Sequence, residues 1–220
     1  MATLPLEPCV PQLPHVAVAL MLLEDFRSGA AVDRDRLRRL FEKETGASDA
    51  SGAWSMRQPY EALELAQVLF LLEPDCPLLG GMNAETLASL ERFTAALPVQ
   101  SYRSQGQVAL QQFSTPLPLA WLAGLAAGAT AADLVLEPSA GNGMLAWPAA
   151  RARSRLMLNE IDGDRLASLA DAFPEADISS HDAELVDDLL AVDRRPSLIV
   201  MNPPFARSYG RGEDRYAAAR

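Results

Sequence analysis

Apolar residues in the first hundred positions recur at helical spacing. Leu37, Leu40 and Phe41 fall at i, i+3 and i+4 between Asp33 and Glu44, with Gly46 following as a stop. The same spacing predicts a helix over His15–Arg27 and another over Pro59–Glu73, which carries Tyr60, Leu63, Val68, Leu69 and Leu72. A further helix is expected after Asn83, a good N-cap, with Leu87, Leu90, Phe93 and Leu97 on one face. Ala47–Met56, with Gly52 and several serines, reads as a loop, and no internal repeat is visible.

After Leu97-Pro98 the period changes. Short aliphatic or β-branched runs at Ala132–Glu137, Arg155–Glu160, Ala176–Ser180 and Ser197–Met201 alternate with helical segments at Met144–Ala152, Gly163–Ala172 and Ala183–Leu190. This is the rhythm of βαβ units around a parallel sheet. The uncharged run Leu117–Ala132 is broken by Pro118, Gly124 and Gly128, falls short of the roughly 20 apolar residues of a bilayer span, and reads as a buried helix plus a strand approach. The fold class expected is α/β, a Rossmann-like parallel sheet represented by its first four strands and preceded by an α-helical region. The expected division is a helical N-terminal region at 1–100 and the front part of a sheet domain at 101–220. In a doubly wound sheet the fourth strand lies near the middle, so the sequence is expected to be part of a longer protein.

Composition narrows the function classes. With 220 residues, 49% of them hydrophobic, the chain has enough apolar material for a core, which excludes disorder as its main state. Its 19 basic and 29 acidic residues give a net charge of −10, which disfavours nonspecific binding to a phosphate backbone. Cys9 and Cys76 lie far apart with no ligand-spaced partner, so neither a disulfide framework nor a cysteine zinc site is expected. No lysine or arginine precedes Arg27, so no export signal is readable, and a cytoplasmic protein with no membrane contact is the expectation.

The segment Leu134-Val135-Leu136-Glu137-Pro138-Ser139-Ala140-Gly141-Asn142-Gly143 runs from a strand through an acid into two glycines. Glycines permit a sharp turn and close approach of the backbone to a ligand. Gly141-x-Gly143-x-x-Ala146 also fits the dinucleotide fingerprint, but a carboxylate four residues ahead of the first glycine does not suit a pyrophosphate. Glu137 suits a cationic ligand instead; the bland alternative is a tight turn without a ligand. Glu160, at the end of the second strand and 19 residues after Gly141, stands where an acid accepts from ribose hydroxyls. Asp182, at the end of the third, could accept from an adenine amino group or cap a helix, with His181 turned away by strand alternation.

The fourth strand runs into Asn202-Pro203-Pro204-Phe205. Two prolines remove two N–H donors and fix φ, so the carbonyls point in set directions. A planar amino group could donate one hydrogen to the Asn202 side-chain oxygen and one to the Pro203 carbonyl, with Phe205 stacked on the ring.

Together these residues resemble the class I S-adenosylmethionine-dependent methyltransferases that modify exocyclic amino groups. Asn202 to Phe205 match their [DNS]-P-P-[YFW] signature, and Glu137 to Gly143 match their glycine-rich cofactor motif. Gln112-Phe113-Ser114-Thr115-Pro116 is similar to the segment that precedes the first strand in the N6-adenine branch, and the motif order is γ-like. Thr115 is also a plausible N-cap and Pro116 a good first helical residue.

The resemblance implies that S-adenosyl-L-methionine is bound by Phe113, Thr115, Glu137, Pro138, Ala140, Gly141, Gly143, Glu160, Ile161, Asp182 and Ala183. It implies a catalytic set of Asn202, Pro203, Pro204 and Phe205, and needs no metal. The implied partner is DNA, with the target adenine flipped out of the helix. More loosely, the helical front and the run Phe205–Arg220 are similar to the methyltransferase segment of bacterial strawberry-notch-type helicase proteins, which implies a helicase-like region as a further partner. The alternatives are methylation of glutamine or rRNA amino groups, where tyrosine is common at the Phe205 position, and a noncatalytic docking module. A dinucleotide oxidoreductase is more distant, because Glu137 and the proline tetrapeptide do not belong to one.

Overall fold

Asp33 and Asn83 cap helices as their positions in the sequence suggest. In the computed structural model, which describes residues 13–99, 114–190 and 195–203, the Asp33 carboxylate accepts from the Arg36 N–H at 2.6 Å and the Asn83 side chain from the Thr86 N–H at 3.0 Å. The helices of the front region are α1 (Pro14–Ser28), α2 (Arg34–Thr45), α3 (Arg57–Leu72) and α4 (Ala84–Ala96). Left-handed glycines close the first two, Gly29 at φ 71° and Gly46 at φ 68°. The expected loop between α2 and α3 contains a short 3₁₀ turn at Asp49–Ser51.

The second half is a parallel sheet. Strands β1 (Leu134–Glu137), β2 (Arg155–Asn159), β3 (Asp177–Ser179) and β4 (Leu198–Ile199) lie in the order β3-β2-β1-β4. Leu134 pairs with Arg155, Met157 with Asp177, and Val135 with Leu198. The chain therefore steps outward from β1 through β2 to β3 and then returns to the other side of β1. That reversal opens a crevice at the carboxyl ends of β1 and β4, where open α/β sheets bind ligands. The architecture is α/β, a Rossmann-like parallel sheet preceded by helices.

Helix α5 (Leu117–Ala127) leads into β1, α6 (Trp147–Arg151) joins β1 to β2, and α7 (Gly163–Ala172) joins β2 to β3. A 3₁₀ turn at Ala183–Leu185 and the short α8 (Val186–Leu189) follow β3. The pattern of apolar residues locates α7 to the residue, but α6 begins three positions later than Met144, at Trp147. Gly141 and Gly143 both have positive φ, 59° and 88°, which a right-handed helix excludes, so the segment makes turns before the helix starts. Strand ends are also one or two residues shorter than the apolar runs.

One buried apolar set extends from Leu22 and Phe26 of α1 through Leu65 and Leu71 of α3 to Val135 of β1 and Leu158 of β2. Phe26 sits at its aromatic centre, with ring centroids 5.7 Å from Phe70 and 5.1 Å from Phe93. Polar ties cross the same boundary. The buried His15 of α1 reaches the Asp164 carbonyl at 3.0 Å and Ser168 at 3.2 Å on α7, and Arg151 of α6 donates to the Leu71 carbonyl at 3.0 Å. Helix α5 approaches α6 closely because Gly124 has no side chain; a Cβ there would lie 2.3 Å from Cβ of Pro148. Among the described residues no helix is long and apolar enough to cross a membrane.

Candidate active site

The glycine turn is fastened from below by the neighbouring strand. The Ala140 N–H donates to the Asn159 carbonyl at 2.8 Å, and the next peptide, the Gly141 N–H, donates to Glu160 Oε2 at 2.8 Å. The other Glu160 oxygen accepts the Asp162 N–H, also at 2.8 Å. Each oxygen thus holds one backbone hydrogen and retains lone-pair capacity for a hydroxyl donor. These two bonds set the carboxylate beside the loop. Gly143 has a second reason to be glycine, because a Cβ there would lie 2.2 Å from Cε2 of Phe173 at the end of α7.

Asn159 holds the carboxyl ends of three strands in place, a role the sequence reading missed. Its Nδ2 donates to the carbonyls of Pro138 and His181, both at 2.9 Å, while its Oδ1 accepts from Ser179 Oγ and the His181 N–H, also at 2.9 Å. All of its hydrogen-bonding capacity is used inside the protein, where it is 1% exposed. The available signal was an amide directly after the apolar run Leu156-Met157-Leu158. Its hold on the His181 backbone leaves Asp182 at the carboxyl edge of β3. There the Asp182 side chain accepts from the Glu184 N–H at 3.1 Å, so the capping role is realised, with Ala183 opening the 3₁₀ turn.

Four carboxylates and one guanidinium meet beneath the loop. Glu137, the last residue of β1, is 2% exposed, and its Oε2 has no hydrogen-bond partner among the described residues. Burial, reinforced by Glu160 and Glu64 nearby, holds its carboxyl well above the usual carboxylate range. Glu64 comes from α3. Its Oε2 accepts from Asn142 Nδ2 at 3.1 Å and from Ser114 Oγ, and burial raises its pKa against the opposing pull of Arg165.

Glu61, one turn earlier on α3, forms a two-pronged pair with Arg165 of α7, Nε to Oε2 and Nη2 to Oε1, both at 2.9 Å. Asn142, completely buried between the two glycines, donates to Glu61 Oε2 at 2.7 Å as well as to Glu64, and its own Oδ1 has no partner among the described residues. Arg57 adds a bond to Glu61 at 3.4 Å and an ion pair with Asp162. Glu61, Glu64 and Arg165 were absent from the sequence reading, and Asn142 entered it only as part of the glycine segment. Two acids one turn apart among the mostly apolar residues of Pro59–Leu72 were the signal. Among the described residues no group of three or more histidines, cysteines or acids is arranged to hold a metal ion.

At the end of β4, Asn202 Nδ2 donates to Thr115 Oγ1 at 3.0 Å. Thr115 does not cap α5 as its position suggested; Pro116 takes the N-cap place, Leu117 is the first helical residue, and no side chain caps that helix. With its nitrogen committed to Thr115, Asn202 presents Oδ1 as an acceptor. Ser114 and Thr115 are adjacent, so one short segment touches Glu64 on one side and Asn202 on the other.

The residues expected at the site thus fall into three groups. Glu137, Pro138, Ala140, Gly141, Gly143 and Glu160 surround the glycine turn, and Thr115 and Asn202 touch directly, with Pro203 exposed beside them. Asp182 and Ala183 stand at the neighbouring strand end, and Ile161 is exposed next to Glu160. Phe113, Pro204 and Phe205 lie outside the described residues.

No family model matches the chain, and no curated protein matches it. Among solved structures it is similar to PH1948 from Pyrococcus horikoshii, named as a candidate RNA methyltransferase, at 22% identity and a TM-score of 0.41 over 59% of this chain and 64% of that one. It is also similar to TrmN from Thermus thermophilus, at 17% identity and a TM-score of 0.37 over 64% of this chain and 58% of that one. The chain therefore spans less than two thirds of the length of either.

Proposed function

We propose that this chain is the cofactor-binding and amino-group-binding part of an S-adenosylmethionine-dependent methyltransferase acting on the N6 amino group of adenine in DNA. The observation that carries the reading is the bond from Asn202 to Thr115, which commits the amide nitrogen and leaves Oδ1 to accept from an amino group. The cofactor suits the donor set. Glu137 offers a buried, unpartnered carboxylate oxygen to a positive charge, and Glu160 offers two oriented oxygens to vicinal hydroxyls.

S-adenosylmethionine supplies an electrophilic methyl group on a positively charged sulfur. The chain's own residues orient the acceptor. Asn202 Oδ1 and the Pro203 carbonyl accept hydrogen bonds from the two amino hydrogens and hold the nitrogen lone pair toward the donor; the methylated nitrogen would release one proton to water, so this is catalysis by position and needs no strong base. The base leaves the duplex to reach the site, and the resemblance assigns Phe205, outside the described residues, to stack on it. Phenylalanine in that place, in preference to tyrosine, favours DNA over glutamine or rRNA.

A second reading is a docking module that keeps the fold without transferring a methyl group. It draws on β4, which among the described residues pairs only with β1 and leaves Ile199 and Met201 each 52% exposed. The test supplies methyl-labelled cofactor with DNA, RNA or protein acceptors to the chain and to any longer protein that contains it. Label in N6-methyladenine of DNA, lost in Asn202→Ala, is the expected result. Label in RNA or protein alone overturns the DNA assignment, and cofactor binding without transfer favours docking.

A further inference from the structure

We propose that Glu64, which belongs to the helical region ahead of the sheet, binds the positively charged part of the cofactor together with Glu137. The proposal rests on the methyltransferase reading and extends the binding site to a residue outside the sheet.

Charge balance within the cluster singles out Glu64. Glu61 is matched by Arg165 in a buried two-pronged pair, and Glu160 is held by two backbone N–H groups. Glu64 and Glu137 have no ion pair among the described residues; Arg165 attracts Glu64 without pairing with it, and Glu64 in turn opposes ionisation of Glu137. Two carboxylates that share a poorly solvated region, with one arginine already paired to Glu61, favour either a bound proton or a further cation. The buried, unpartnered Oε2 of Glu137 is the independent sign that a ligand belongs there.

Access and orientation separate the roles of the two acids. Glu137 is buried, whereas Glu64 is half-buried and reachable from solvent. Both donors to Glu64 among the described residues, Asn142 and Ser114, engage Oε2, so within that set Oε1 is left for a ligand. Asn142 lies within the glycine turn and Ser114 is next to Thr115. The carboxylate is thereby fixed between the cofactor loop and the segment that holds Asn202.

S-adenosylmethionine carries two positive groups, an ammonium and a sulfonium, and three ligands distinguish them. S-adenosylhomocysteine keeps the ammonium and has a neutral sulfur; adenosine lacks both. Each is titrated calorimetrically into the wild-type chain and into Glu64→Gln, which retains size and hydrogen-bonding capacity. The expected result is about tenfold weaker binding of S-adenosylmethionine to the variant, with adenosine binding unchanged. An equal loss for S-adenosylhomocysteine assigns Glu64 to the ammonium, and an unaffected S-adenosylhomocysteine assigns it to the sulfonium. Glu64→Asp, which keeps the charge, should retain part of the preference for the charged ligand.

Wild-type affinity for S-adenosylmethionine in Glu64→Gln, or an equal loss of adenosine binding, overturns the proposal, the latter by reducing Glu64 to a structural support. Should Glu64→Gln fail to fold, Glu64→Ala is titrated in its place: a ratio of S-adenosylmethionine to adenosine affinity equal to that of the wild type overturns the proposal. A wild-type chain that binds neither S-adenosylmethionine nor S-adenosylhomocysteine overturns the methyltransferase reading itself.

Discussion

Asn202 and Thr115 stand 87 positions apart and are joined by a 3.0 Å hydrogen bond from Nδ2 to Oγ1. The bond runs from the end of β4 to the segment just ahead of α5, across the crevice formed where the strand order reverses. It gives the Asn202 amide one orientation of two.

Thr115→Val removes the acceptor and keeps the shape of the side chain. The freed amide can then turn its nitrogen toward the substrate, where a donor meets a donor. The expected outcome is a loss of about tenfold in the methyl-transfer rate, the size of one hydrogen bond, with cofactor affinity changed far less. Single-turnover transfer together with a binding titration separates the two effects. A rate equal to wild type would remove Thr115 from the orientation of Asn202.

The Glu61 and Arg165 pair joins the front helices to the sheet, and both residues are buried, at 4% and 5% exposure. Removing one partner strands a buried charge, so Glu61→Ala is expected to cost about 3–5 kcal/mol of folding stability. Replacing both by apolar residues, Glu61→Leu with Arg165→Met, should recover most of that loss, because no charge is then left unpaired. Urea denaturation of the single and double variants measures the coupling. A Glu61→Ala midpoint equal to wild type contradicts the pairing.

Glu137 sets a pH dependence whose sign follows from the direction of its shift. Its folded-state pKa lies well above the ordinary 4.5, because burial and then Glu160 and Glu64 oppose ionisation. The folded chain therefore keeps a proton that the unfolded chain releases as pH rises past 4.5. Stability from this group is fully present below that value and is lost as pH climbs through the folded-state pKa. The ligand-free wild type should thus gain stability over Glu137→Gln as pH falls from neutrality toward about 5. Melting midpoints of both proteins across that range test it, and a constant difference would contradict it. A bound cation favours the ionised form, so S-adenosylmethionine should flatten the wild-type profile.

Much of the fold was legible because its signals are local. Asp33, Asn83 and Gly46 mark helix ends by side-chain or backbone properties that act over one turn. The switch from helical spacing to short apolar runs announced βαβ units, and α7 was found at its true limits. The start of α6 was misplaced because Gly141 and Gly143 take positive φ, a state that residue identity permits but does not require. Thr115 was read as a cap on the same local logic; its hydroxyl serves Asn202, a residue that only folding brings near.

By itself the sequence determined the α/β class, the glycine turn with Glu137 ahead of it, Glu160 at the next strand end and the Asn-Pro-Pro-Phe run after the fourth. These are short stretches in which neighbouring residues carry the meaning. The tertiary structure alone decided that Glu61 and Glu64 of α3 lie beneath the glycine turn, that Asn142 and Arg165 meet them there, and that Asn159 ties three strand ends together. Hydrogen bonds and charge pairs act over a few ångströms of space, and the residues that form them here are separated by as many as 153 positions of chain.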